Sequence, residues 1–267
     1  MFRNIELWWI NLNTNMDLWA GIYDQVYFDV NDDIDFYVQE CIFSKGSVLE
    51  LGCGTGRVTI PIAKTGIDIL AIDNSIAMMK VALEKINRQD AAYPNLQFVG
   101  SDMRNFAFDK KFTLIIIPFR GFQSLLNVND QIQTITNIKN HLTVNGRLIF
   151  NTFVPSYESI VSAHDVLYHH KDVEDFDNHR KFIIWNQSEY DQFNQIVYTR
   201  IVVDELNNKE QVVNRFYRDF SLRYAFRWEL YHLLISNGFK LLNLYGDFEK
   251  SDFDDSSTEM IWEFSLA

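Results

Sequence analysis

The sequence predicts an α/β protein built on a doubly wound, mostly parallel sheet with an antiparallel β insertion. Three observations carry this. Over the first two-thirds of the chain, short β-branched runs alternate with longer stretches of helical period, the pattern of βαβ units. A loop with three glycines in five residues, Gly52, Gly54 and Gly56, follows directly on the first such run. Beyond Pro155 the alternation gives way to three consecutive runs of strand character with short polar turns, which reads as an antiparallel meander.

Taken in order, strands are expected over 47–51, 68–72, 96–100, 112–117 and 147–153. Ser75 suits the N-cap of a helix over 76–88, where Ile76, Met79, Leu83 and Ile86 recur at helical spacing. Asn129 or Asp130 is expected to start a second helix with the stripe Ile132, Ile135, Ile138 and Leu142, stopped by Asn145-Gly146. The segment 164–180 is acidic, carries histidines and has no clear period. The meander comprises 181–190, 195–205 and 211–222, with turns at 191–194 and 207–209. A helix over 228–236, stopped at Asn237-Gly238, and closing strands over 239–245 and 260–266 complete the main sheet.

Composition bounds the function. At 267 residues, with four prolines and no low-complexity tract, the chain suits one domain with a large insertion. It is 47% apolar and 22% charged, and no run approaches the roughly 20 apolar residues that span a bilayer. The opening MFRNIELWW has one arginine, and Glu6, Asn11 and Asn13 cut its apolar patch, so a signal peptide is not expected and a cytoplasmic location is. Cys41 and Cys53 read as reduced thiols. A net charge of −12 with pI near 4.9 argues against nucleic acid and anionic membranes as partners.

The glycine loop is a ligand seat, because glycines let a backbone turn sharply and approach a ligand without a Cβ. Arg57 stands where the dinucleotide fingerprint needs its third glycine, and the Gly-Lys-Ser/Thr of a phosphate loop is absent. Asp73 lies about 20 residues beyond the glycines, where doubly wound sheets place a carboxylate for ribose hydroxyls. It equally suits a cap of the next helix. Asp102-Met103, after the third strand, offers an acceptor for an exocyclic amine and an apolar neighbour for a ring face. All three positions fall at strand ends along one crevice.

With these residues in place, the chain resembles the class I S-adenosylmethionine-dependent methyltransferases, in a branch of bacterial small-molecule enzymes. The matching motifs are VLELGCGTGRV, ILAIDNSIAMM, FVGSDMRNF, LIIIPFRGFQSLLN and HLTVNGRLIFNTF, and more weakly RYAFRWELYHLLISNGFKLLNLYGDF. The resemblance implies a seven-stranded sheet of order 3-2-1-4-5-7-6 with strand 7 antiparallel. It implies S-adenosyl-L-methionine as cofactor and S-adenosyl-L-homocysteine as product. Glu50 would organise the loop near the methionine amine, and Gly52, Gly54 and Gly56 would meet the amino-acid part. Asp73 would take the ribose, Met78 would pack on adenine, and Asp102 with the Met103 amide would read its edge. Pro118 would lie near the reactive methyl. The segment AGIYDQVY resembles the family's leading Tyr-Asp segment and would bring Tyr23 to the cofactor, and Arg57 and Asn74 complete the expected binding set. The implied organisation is an N-terminal helical cap over 1–45, a cofactor-binding core over 46–155, an insertion over 164–222 acting as lid or homodimer contact, and a closing helix and strands over 223–267.

The acceptor is less legible. An N or O atom of a small molecule is the first expectation, with protein or peptide methylation and a non-catalytic S-adenosylmethionine-binding protein as alternatives, and an NAD-dependent oxidoreductase more remote. No general base declares itself. The Asn-Pro-Pro-Tyr signature is missing from the stretch Pro118-Phe119-Arg120-Gly121-Phe122-Gln123. Acceptor contacts are therefore expected from Tyr23, Arg120 and Gln123, with Arg120 facing either an anionic group or solvent. His164, His169, His170 and His179 with Asp172, Glu174, Asp175 and Asp177 fit no tight ligand template, so no metal is expected and a solvated loop is. Most of the dense aromatic residues are assigned to core, and the rest to an acceptor pocket beneath the insertion.

Overall fold

The computed structural model describes residues 5–6, 15–89, 92–161, 166–175 and 180–267. The expectations for the extreme N-terminus and for His164, Asp177 and His179 lie outside the described residues.

The first elements are a two-residue strand β1 (Ile5–Glu6), a 3-10 turn over Asn15–Leu18, and helices α1 (Tyr23–Val26) and α2 (Asp32–Ser44). The core then alternates β2 (Val48–Leu51), α3 (Thr59–Lys64), β3 (Ile69–Asp73), α4 (Ile76–Arg88), β4 (Leu96–Gly100), β5 (Phe112–Ile117), α5 (Val128–His141) and β6 (Leu142–Phe153). After α6 (Tyr157–Val161) come β7 (Tyr168–Asp175), β8 (Arg180–Asp191), β9 (Ile196–Leu206) and β10 (Val212–Arg223). Then α7 (Arg227–Ser236), β11 (Phe239–Tyr245) and β12 (Glu259–Leu266) close the chain.

Seven strands form the core sheet in the order β4-β3-β2-β5-β6-β12-β11, and β1 adds to the β4 edge. In chain order this is the expected 3-2-1-4-5-7-6, with β12 antiparallel to both neighbours. The central strands are buried on both faces, which is why apolar residues dominate them without a regular alternation, Glu50 being the one charged residue inside β2. One face is covered by Phe36, Tyr37 and Cys41 of α2, Ile62 of α3, and Met79 and Ala82 of α4. Ile135 and Ile138 of α5 and Leu230 and Leu234 of α7 cover the other, over Phe150, Trp262 and Phe264. Each fully buried side chain of this size is worth about 1.5–3 kcal/mol, so the two layers fix the strand ends firmly.

Local chemistry sets the helix starts. Ser75 caps α4 as expected, accepting from Met78 N at 3.2 Å. The cap of α5 is Asn127, whose Oδ1 accepts from Asp130 N at 2.9 Å, rather than Asn129 or Asp130. Asn145-Gly146 does not stop this helix. It lies inside β6, where a Cβ on Gly146 would come within 3.0 Å of Phe112 O, so the glycine serves close strand approach. Ile132 is 36% exposed, and Gln131 turns inward in its place to bond Leu125 O and Arg223.

The insertion is a four-stranded antiparallel sheet, β10-β9-β8-β7, one strand more than expected. The added strand, β7, covers much of the aperiodic acidic segment, and Val173 is its deeply buried residue. One face of this sheet carries Val173, Phe182, Ile184, Ile201 and Val203, which pack on Trp19, Ile22 and Val26 and on Met78 of α4. At its base Arg223 bonds Gln131, Gln195 and Glu229, tying the insertion to α5 and α7.

Candidate active site

The carboxyl ends of β2, β3 and β4 converge on the glycine loop. Gly52 N and Cys53 N donate to Ile72 O at 2.8 and 3.0 Å, locking the loop to the end of β3. Asp73 then clasps both sides: Oδ2 accepts from Gly54 N and Oδ1 from Ser75 N, each at 2.7 Å. Register places Asp73 opposite Gly100, which brings Asp102 to the same edge. Gly54 has φ +55, and a Cβ there would stand 3.5 Å from the Met78 methyl; one on Gly52 would stand 3.6 Å from the Met103 methyl. Both glycines thus leave an uncluttered backbone beneath a methionine. Gly56 serves packing instead, since its Cβ would come within 3.1 Å of Ala82 on α4.

Three carboxylates mark the site, each with its own electrostatics. Glu50 is 2% exposed, and burial pushes its carboxyl up to about 8 against the opposing pull of the Thr59 hydroxyl, which donates at 2.7 Å. No cation pairs with it among the described residues, so the pocket around it suits an ammonium group. Burial likewise raises Asp73 to about 6, opposed by the backbone N–H groups of Ser75, Gly54 and Asn74. Each of its oxygens keeps a lone pair for a further donor. Burial would also raise Asp102, but the Arg104 guanidinium bonded to it holds the carboxyl below the usual range.

Of the other expected site residues, Met78 is buried, Asn74, Met103 and Tyr23 are half-buried, and Pro118 is buried at the end of β5. Three behave differently from expectation. The Arg57 guanidinium is spent on the protein: it grips Asp33 with two bonds, at 2.5 and 2.7 Å, and donates to Val30 O at 2.9 Å. Gln123 is 2% exposed, with its Oε1 accepting from Phe153 N and its Nε2 donating to Arg223 O, so both ends of the amide brace the backbone. Arg120 faces no free anion site: its side chain stays 41% exposed, as the solvent-facing alternative expects, but its guanidinium pairs with Glu259 and lies over the Phe153 ring.

Beside these residues, at the same sheet edge, lies a cavity of about 510 Å³ between the start of α2, the loop after β5 and the β11–β12 turn. Phe119, Arg120, Asn151, Phe248 and Glu259 are among its walls. Phe119 and Arg120 have φ of 52 and 63, two successive non-glycine residues in the left-handed region. Such strain collects where function demands a fixed direction. The Phe119 ring stands 5.1 Å from Tyr27 and 6.4 Å from Tyr23, with the Arg57 guanidinium 4.8 Å above it.

A family model described as a methyltransferase domain matches residues 48–146, the span from β2 into β6. The chain is similar to YqeM of Bacillus subtilis (strain 168), named as a candidate methyltransferase, with 26% identity over 66% of this chain and 76% of that protein. A malonyl-[acyl-carrier protein] O-methyltransferase of Ilyobacter polytropus is 32% identical over 53% of this chain and 52% of its own length. The chain thus spans about half of that relative. The CcbJ methyltransferase of Streptomyces caelestis shares the fold with TM-score 0.78 at 22% identity, covering 97% of this chain and 100% of that one. CalS10 of Micromonospora echinaspora, an amino pentose methyltransferase solved with S-adenosylmethionine bound, superposes with TM-score 0.69 at 14% identity, over 92% and 97% of the two chains.

The chain carries a methyltransferase domain over residues 48–146, in a fold that S-adenosylmethionine-dependent methyltransferases share.

Several residues around the candidate site escaped the sequence reading. Asp24 accepts from Thr55 Oγ1 at 2.6 Å and pairs with Lys85, fastening the cap to the glycine loop. Asp17 accepts from Ser75 Oγ at 2.6 Å and does the same at α4. Tyr27 could have been found in AGIYDQVY, one helical turn after Tyr23. Asn151 and Glu259 had no signal, since their bond to each other spans 108 residues of sequence. His169 bonds Asp172 on an exposed stretch of β7, and the described residues hold no group of three or more His, Cys, Asp or Glu able to take a metal. No helix among the described residues is long and apolar enough to cross a membrane.

Proposed function

We propose that this methyltransferase moves a methyl group from S-adenosyl-L-methionine to an N or O atom of a small-molecule acceptor. The single observation behind it is the meeting, at one sheet edge, of an unpaired buried carboxylate, a bare glycine loop and a second buried carboxylate with a small-molecule-sized cavity alongside. Glu50 would hold the methionine ammonium, Asp73 the ribose hydroxyls, Met78 and Met103 the adenine faces, and Asp102 its edge. When bound, the sulfonium supplies an activated methyl carbon whose bond to sulfur breaks with its electron pair to sulfur as the acceptor lone pair attacks. The protein's part is alignment and exclusion of water, and alignment alone can supply about 7–11 kcal/mol. The cap and the insertion sheet packed on it would close the site against water as a lid. The similarity to a malonyl-[acyl-carrier protein] O-methyltransferase and to the sugar N-methyltransferase KedS8 supports either acceptor atom.

Incubation with methyl-labelled S-adenosylmethionine and fractionated cell extract tests the reading. Label in the small-molecule fraction, lost in Asp73→Ala, supports it. Label confined to protein would move the assignment to protein methylation, and absence of transfer from every fraction would refute catalysis on a cellular small molecule.

A further inference from the structure

Trp19 is 1% exposed, and its indole N–H meets no hydrogen-bond acceptor among the described residues. Proteins seldom strand a buried donor, and an orphan of this kind asks for a partner, be it a water, an ion or a ligand atom.

A staple fixes where this donor sits. Ser75 donates to Asp17 and accepts from Met78 N, so the 3-10 turn of the cap is pinned to the N-terminus of α4. Trp19 follows Asp17 by two residues and packs with Met78, while Asp73 precedes Ser75 by two. The unpaired N–H therefore belongs to the cap over residues 73–78. Tyr23, Tyr27 and Phe220, with ring centroids 6.3, 6.0 and 5.9 Å away, hold the indole in place.

We propose that Trp19 is a cofactor-binding residue whose indole N–H donates to an oxygen or nitrogen of the adenosine end of the bound cofactor. The assignment rests on the cofactor reading given above. It has a two-sided consequence. Trp19→Phe keeps an aromatic ring and deletes the orphan, so the ligand-free protein loses no hydrogen bond, while the liganded protein loses one.

Titration of S-adenosylhomocysteine into the full chain and its Trp19→Phe variant decides the matter. The variant is expected to bind about fivefold to tenfold more weakly, with the ligand-free Tm unchanged or higher. In ¹⁵N spectra of the wild type, the Trp19 indole resonance, assigned through its ring neighbours Tyr23, Tyr27 and Phe220, is expected to move downfield on ligand addition. That readout serves even if the variant folds poorly. Equal affinities, or an indole resonance that stays fixed while the wild type binds, would overturn the proposal and leave the cofactor reading standing. A wild type that does not bind S-adenosylhomocysteine would refute the cofactor reading itself, and the proposal with it.

Discussion

The Arg57 guanidinium holds the Asp33 carboxylate through two parallel bonds, and this fork ties the glycine loop to the first turn of α2. Asp33 is 2% exposed and the Arg57 side chain 14%. Arg57→Ala strands a buried carboxylate, which typically costs about 3–5 kcal/mol. Arg57→Lys keeps the charge but loses the fork and should fall between the two. Urea unfolding measures both, and an alanine variant within 1 kcal/mol of wild type, about the error of such a comparison, would show that the pair holds nothing.

Glu50 makes stability depend on pH in an unusual direction for a carboxyl group. Its pKa is raised from 4.5 to about 8, chiefly by burial, so between those values the native state keeps a proton that the unfolded chain has lost. The resulting stability is complete below the lower value and drains away as pH rises toward the upper one. Thermal melts from about pH 5 to about pH 8 should show wild type losing Tm relative to Glu50→Gln. An ammonium ligand beside Glu50 would expel that proton. Calorimetry of S-adenosylhomocysteine binding at neutral pH, in buffers of different ionisation enthalpy, should register about one proton released.

Gly54→Ala tests the glycine loop twice over. The left-handed φ of +55 costs an alanine about 1–2 kcal/mol. The new methyl also fills the space under Met78. Melting should show the modest loss, while affinity for S-adenosylhomocysteine should fall well beyond what that loss explains. Unchanged affinity would remove the loop from the binding surface.

For Gln123 the expected effect is structural. Gln123→Leu leaves Phe153 N without its partner in a buried setting, at about 1–3 kcal/mol. Once an acceptor is identified, its KM should be unaltered in variant protein below the new Tm. A raised KM with normal stability would restore Gln123 to the acceptor site.

The core was legible because its central strands are buried on both faces, so 69–72 and 114–117 are unbroken apolar runs, and the expected strands over 96–100 and 112–117 coincide with β4 and β5. Asp73 and the glycines were legible because strand, loop and helix follow one another within a short stretch of sequence. What stayed hidden depended on distant partners. The acid that consumes Arg57 lies 24 residues away, the carbonyl that takes the Gln123 amide 100, and the Glu259 that claims Arg120 lies 139 away. β7 escaped because an edge strand with one deeply buried residue, Val173, among exposed His169 and Asp172 carries no readable alternation.

The pairing of β12 with β6 sets Glu259 opposite Phe153, and the whole insertion lies in the chain between them. Joining those strands from an unstructured chain means closing a loop of about a hundred residues, a cost that grows only with the logarithm of length. The β8-β9-β10 hairpins are local by comparison and gain their contacts early. An insertion that folds first brings Arg223 and α7 back toward the core, shortening the distance the last two strands must search. The insertion would thus serve as a folding tether, and lengthening its turn at 207–211 should slow refolding more than it lowers equilibrium stability.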